Sequence, residues 1–141
     1  VNEEAAVADY LVDYLEADAT LMGMVNGVWL RSTPTDVATP LVKIDRQDAS
    51  DLMVVNLYRV WADLTFLVRA AVENSERGQP DWSEVRSIAD RLDVLLHKHE
   101  ANETNLEWHA FREESFTDET IEGGKLYLHA GGIYRVRAHA V

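Results

Sequence analysis

The sequence predicts an α+β fold, a mainly antiparallel twisted sheet with two main helices packed on one face. Three observations predict it. Two segments, one carrying Val7 to Leu15 and one carrying Val85 to Leu96, repeat apolar residues at helical spacing. The stretch from Tyr58 to Val72 alternates, with every even position apolar. The closing stretch "KLYLHAGGIYRVRAHAV" alternates as well and separates an apolar face from a basic one.

The elements follow in chain order. Val7, Tyr10, Leu11, Tyr14 and Leu15 mark the inner face of a first helix; Asn2 is placed to cap it, and Glu3 and Glu4 suit the positive end of its dipole. Asp18 is expected to cap a short second helix carrying Leu21, Met22 and Val25, with Gly27 stopping it. Val28 to Arg31 is a short strand, "STPTDVATP" a polar loop, and Leu41 to Ile44 extended. In Tyr58–Val72 a helix would turn Tyr58 and Phe66 to the wet side, whereas a strand leaves no even-position exception. A strand of that length spans about 50 Å, against roughly 37 Å for a globule of this size. It therefore bends at a bulge or projects beyond its own domain. "ENSERGQP" is a loop; Asp81 and Glu84 form a capping-box-like start. Val85, Ile88, Ala89, Leu92, Leu95 and Leu96 then line a long helix ending near His97-Lys98-His99. Leu106 to Phe116 is a strand and "TDETIEGG" an acidic loop.

The closing stretch is read as a hairpin turning at Gly131-Gly132. A three-residue loop, Gly131 to Ile133, pairs Ala130 with Tyr134, Leu128 with Val136 and Leu126 with Ala138, which makes one face wholly apolar. The other face carries Lys125, His129, Arg135, Arg137 and His139. A basic face in a chain of net charge −12 needs a purpose.

The 141 residues fit one domain, 1–141, able to bury roughly 68–70% of its unfolded surface. There is no cysteine, which excludes disulfides, thiolate metal sites and a cysteine nucleophile. No apolar run reaches membrane length and no signal-peptide pattern opens the sequence, so folding in a reducing cytosol is expected. The acidic balance argues against gripping nucleic acid while allowing it to slide past. No G-x-S-x-G elbow, P-loop or dinucleotide fingerprint occurs. His97 and His99, read as helical, diverge and make a poor chelate. His129 and His139 sit among cations, and His109 shows no evident partner. Adjacent acids such as Glu113-Glu114 and Asp118-Glu119 face opposite ways in extended chain, so spacing does not make them acid/base dyads. No catalytic, cofactor or metal residue is expected. Trp29 and Trp108 read as core, whereas Trp61, flanked by Arg59 and Asp63 on the mixed face, reads as a protein-interface residue.

Taken in order, "LEADATLMGMVNGVWL", "PLVKID", "SDLMVVNLYRVW", "LTFLVRAA", "IADRLDVLLH", "REESF" and "YLHAGGIYRVRAHAV" span nearly the whole chain. In this order they resemble the tail terminator (tail completion) proteins of long-tailed bacteriophages. The resemblance implies a non-enzymatic virion protein, assembled in the host cytoplasm. It implies a hexameric ring on the head-proximal end of the tail tube, which stops tube growth and joins the head completion (stopper) protein while genomic DNA passes through the hole. It brings no catalytic residues. A ring needs dissimilar surfaces that meet. Lys125, Arg135 and Arg137 could meet acids of "TDETIE" or "REES" in the next copy, or pair within their own chain; Arg59, Trp61 and Asp63 are the second interface candidate. "RQDASD" and "TDETIE" are candidate channel-lining loops. Another neck component, a small acid/base enzyme and a ligand-binding module remain as alternatives.

Overall fold

A computed structural model describes residues 3–30, 38–55, 58–74, 80–103 and 106–140; of residues 3, 4, 48–55, 58–61, 101–103, 106, 139 and 140 it describes the backbone. The chain forms α1 (Glu3–Glu16), α2 (Ala19–Met22), β1 (Val28–Leu30), β2 (Leu41–Val55), β3 (Tyr58–Asn74), α3 (Ser83–Leu96), β4 (His99–Glu103), β5 (Leu106–Glu122) and β6 (Lys125–Ala140). The strands build one curled six-stranded sheet in the order β1-β2-β3-β6-β5-β4. All pairs are antiparallel except β1 with β2. The fold is α+β, as the periodicities predict.

One face of the sheet holds the core. Val7, Leu11 and Leu15 of α1 and Val85, Ile88, Leu92 and Leu96 of α3 are buried there. They meet the even residues of β3 and β6, among them Leu64, Phe66, Val68, Leu128, Tyr134 and Val136, together with Trp108 of β5. The alternation in Tyr58–Val72 thus reports a strand whose even side chains, from Ala62 onward, are buried. Asp18 is the N-cap of α2, accepting from the Leu21 N–H at 2.8 Å. It also takes a two-pronged bond from Arg91 of α3, at 2.9 and 2.7 Å. The Tyr14 hydroxyl donates to the Leu95 carbonyl at 2.9 Å, one of the carbonyls a helix end leaves without an internal acceptor role. Tyr10, Tyr14, His99 and Trp108 stack where α1 meets β4 and β5; the His99 ring lies 4.2 Å from that of Tyr14 at 11°.

The structure corrects several expectations. The chain does not turn at Gly131-Gly132: β6 runs unbroken from Lys125 to Ala140. The turn lies at Gly123-Gly124, where φ is 58° and 76°. A two-residue loop with both φ positive matches the twist of the strands it joins, and only glycine takes it without strain. Gly131 serves a close approach instead: a Cβ there would fall on the Val68 carbonyl and 2.6 Å from the Arg69 Cα. The proposed pairs Ala130–Tyr134, Leu128–Val136 and Leu126–Ala138 are therefore absent. The two-faced pattern survives, because a three-residue loop and a continuous strand keep the same parity.

Two strands also run further than the sequence predicts. β2 continues from Ile44 to Val55, so "RQDASD" is strand and not loop. β5 continues from Phe116 to Glu122, so "TDETIE" is strand too. Each is polar, and neither shows a hydrophobic period, yet each is held by a paired neighbour, "TDETIE" in unbroken register and "RQDASD" across a shift between Arg46 and Asp48. β4 was not anticipated. α2 stops at Gly23, four residues before Gly27. Asp81 stands one residue ahead of the α3 N-cap, Trp82, and accepts from the Ser83 N–H and hydroxyl at 3.0 and 2.6 Å. His97 and His99 lie beyond the helix end, separated by Lys98 at φ 62°. The Asn2 cap and most of the "STPTDVATP" and "ENSERGQP" loops lie outside the described residues.

β3 runs past its last recorded partner in β6. Ala62 pairs with Ala138, whereas Trp61, Arg59 and Tyr58 pair with Met53, Val54 and Val55 of β2. β2 carries register shifts at Arg46/Asp48, Asp51/Met53 and Met53/Val54, whereas β3 and β6 pair without a shift.

Candidate functional site on the uncovered face of the sheet

The face opposite α1 and α3 is built from the odd residues of β3 and β6, with Leu41, Lys43 and Asp45 of β2 and His109 and Phe111 of β5. No described helix covers it. Leu41, Leu67 and Ala71 are nevertheless buried and lie outside the main core cluster. Ile133, Phe116 and Tyr127 are half-buried around them.

Most of the basic side chains on this face are compensated within the chain. Arg135 lies 3.3 Å from Asp63 on β3 and 3.4 Å from Glu113 on β5. Lys125 is 3.8 Å from Glu73, and Arg69 is 3.7 Å from Asp45. The order of the strands explains this. β6 lies between β3 and β5, so its bases reach acids of both neighbours diagonally: Arg135 stands opposite Thr65 and Phe111, one pair away from Asp63 on the same face. Asp63 is therefore an ion-pair residue of the fold. Arg137 differs: it is exposed, and no ion pair is found for it among the described residues. In register it stands between Asp63 and His109. Arg59 and Trp61 sit on the stretch of β3 beyond β6, and only their backbone is described. The structure thus gathers Asp63, Arg135 and Arg137 at one place, sets Lys125 at the far end of β6, and puts Arg59 and Trp61 on the extension.

His129 carries less charge than a cationic face implies. His129 is half-buried, its Nε2 is 2.9 Å from the Thr120 hydroxyl, and its Nδ1 is buried without a partner. Burial pushes its pKa down, and the nearby Arg69 adds to this, so the ring is neutral at pH 7. His109, read as having no partner, lies 3.4 Å from Glu100. His97 accepts the Arg112 N–H at Nδ1, at 3.0 Å. His99 is pushed down by burial in the aromatic stack. On the helix side, Tyr134 donates to Asp93 at 3.1 Å, and Arg112 lies 3.5 Å from the same carboxylate. Burial drives the Tyr134 pKa well above its usual range, so the phenol stays protonated.

Glu113 is one of the "REES" acids that the sequence offers to Arg135, in the next copy or within the chain. It occupies the register shift between Arg112 and Glu114, and this bulge lets it reach Arg135. Asp118 and Glu119 do face opposite ways, paired with His129 and Leu128. Among the described residues no group of three or more histidines and carboxylates is placed to hold a metal ion, and no helix is long and apolar enough to cross a membrane. No protein-family model matches this sequence, and no curated protein matches it.

Proposed function

We propose that this chain is a structural virion protein of the tail terminator kind. In this reading copies assemble in the host cytoplasm into a ring, with six copies the expected number. The ring caps the head-proximal end of a phage tail tube, stops its growth and joins it to the head completion protein. The observation that carries the reading is the asymmetry of the sheet. Helices cover one face, while the other keeps a partly apolar centre and an exposed Arg137. Closed rings are built from two dissimilar surfaces of each copy, and the helix-covered side and the open face are dissimilar. The run of β3 beyond its β6 partners supports the same reading, since Tyr58, Arg59 and Trp61 pair only with β2 among the described residues. The net charge of −12 suits a hole through which DNA passes without sticking.

Mass measurement in solution together with electron microscopy, alone and after mixing with purified tail tube protein, tests this. The expected outcome is a six-fold ring, free or on tube ends, and arrested tube growth. Monomers that neither bind tube ends nor alter tube length overturn it.

A further inference from the structure

β4 ends far short of β5. It pairs with Leu106 to Ala110, whereas β5 runs on to Glu122, so its outer edge beyond Ala110 has no strand beside it among the described residues. His97 closes the first edge amide, that of Arg112. After the bulge the pairing with β6 is regular from Glu114–Ile133 to Glu122–Lys125. The two-residue turn at Gly123-Gly124 makes Glu122 and Lys125 an inward-bonded pair. Alternation then turns the N–H and C=O groups of Ser115, Thr117, Glu119 and Ile121 outward. Such a row of unpaired backbone groups is a template for another strand.

The side chains select which strand. Glu114, Asp118 and Glu122 recur at every fourth position on the uncovered face, with Phe116 and Thr120 between them. Asp45, Asp63, Glu73, Glu100 and Glu113 each have a cationic or histidine partner. Among the described residues Glu114, Asp118 and Glu122 have no ion pair; Asp118 and Glu122 act only on the neutral His129 ring, at longer range. We propose that this edge accepts an extended basic strand of another protein by β-augmentation. Its bases, four residues apart, face Glu114, Asp118 and Glu122, and an apolar residue between them packs on Phe116. The strand does not come from a second copy. The chain's own basic strand, β6, is paired on both sides. Two β5 edges would set acid against acid. The edge of β2 carries Asp48 and Asp51 and three register shifts. The inference holds whether or not the chain forms rings.

The probe is an end-blocked, labelled peptide, RTVTRTVTR, mixed with the full chain at low salt; anisotropy reads binding and amide hydrogen exchange reads location. Expected are saturable binding and about tenfold slower exchange at Ser115, Thr117, Glu119 and Ile121. The double substitution Asp118→Lys, Glu122→Lys should weaken binding about tenfold or more, with circular dichroism unchanged. Thr117→Pro, which removes one outward N–H and leaves the inward bonds, should abolish the protection. No binding, binding without protection at those four amides, or equal binding by a peptide with proline at alternate positions overturns the proposal. The acids would then serve to guard the edge against strand pairing.

Discussion

At Gly131 the backbone of β6 comes so near that of β3 that no side chain fits. Gly131→Ala is therefore expected to destabilise the protein by about 1–3 kcal/mol, the usual penalty of overpacking, because the obstructing atoms are backbone. Gly132→Ala should be milder, since a Cβ there meets the Arg112 side chain and the Tyr134 ring at 3.1 Å, and the arginine can move. Thermal unfolding of the two variants ranks them. His99 and His129 give the protein an acid sensitivity. Both pKa values are lowered by burial, so between the unfolded value near 6.5 and the lower folded value the unfolded chain binds more protons. Stability is fully present above about pH 6.5 and declines as the pH falls through that window. The melting temperature should drop from pH 7 to pH 5, and His99→Phe, which keeps the stacking on Tyr14, should flatten the slope. Little of this was legible beforehand. The sequence places His129 on a row of cations, but its neutrality follows from the depth to which the curled sheet buries it.

At the scale of elements, helix and strand types were legible and strand ends were not. The period of α3 names its inner face: Val85, Ile88, Leu92 and Leu96 are all buried. Asp18 was identified as a cap from its type and position, and the structure adds that Arg91 grips the same carboxylate. That grip holds the Asp18 pKa below its usual value, with the Leu21 N–H acting in the same direction. Asp18→Ala should cost about 1 kcal/mol as a lost cap, measured by urea unfolding at pH 7; Asp18→Asn, which can still cap, should lose less. This contribution is present above about pH 4 and fades as acid protonates the carboxyl. The polar outer halves of β2 and β5 escaped notice because strand alternation shows only where one face is buried. "TDETIE" carries acids on both faces and is a strand because β6 lies beside it.

At the scale of the whole molecule, the proposed ring separates two arginines that the sequence treats alike. Arg135 bridges Asp63 and Glu113, so Arg135→Glu brings three carboxylates together and should lower the melting temperature of the isolated chain. Arg137 is exposed, and Arg137→Glu should leave that temperature within the small range usual for surface changes. If Arg137 meets an acidic neighbour in the ring, Arg137→Glu alone should shift rings toward monomers in mass measurements. Intact rings would remove Arg137 from the contact. Of the bases that the sequence offers to the acids of "TDETIE" and "REES", Arg135 meets Glu113 of "REES" inside one chain.

The sequence alone determined the fold class, the two long helices and the parity of β3 and β6, because these depend on which side chains must leave water and at what period. It could not determine where the closing hairpin turns or how far β2 and β5 extend. Nor could it say that Lys125 and Arg135 of β6 are neutralised by the strands beside it while Arg137, among the described residues, is not. Those features depend on strand order and register, which bring residues distant in the chain to adjacent positions, and only the folded sheet decides them.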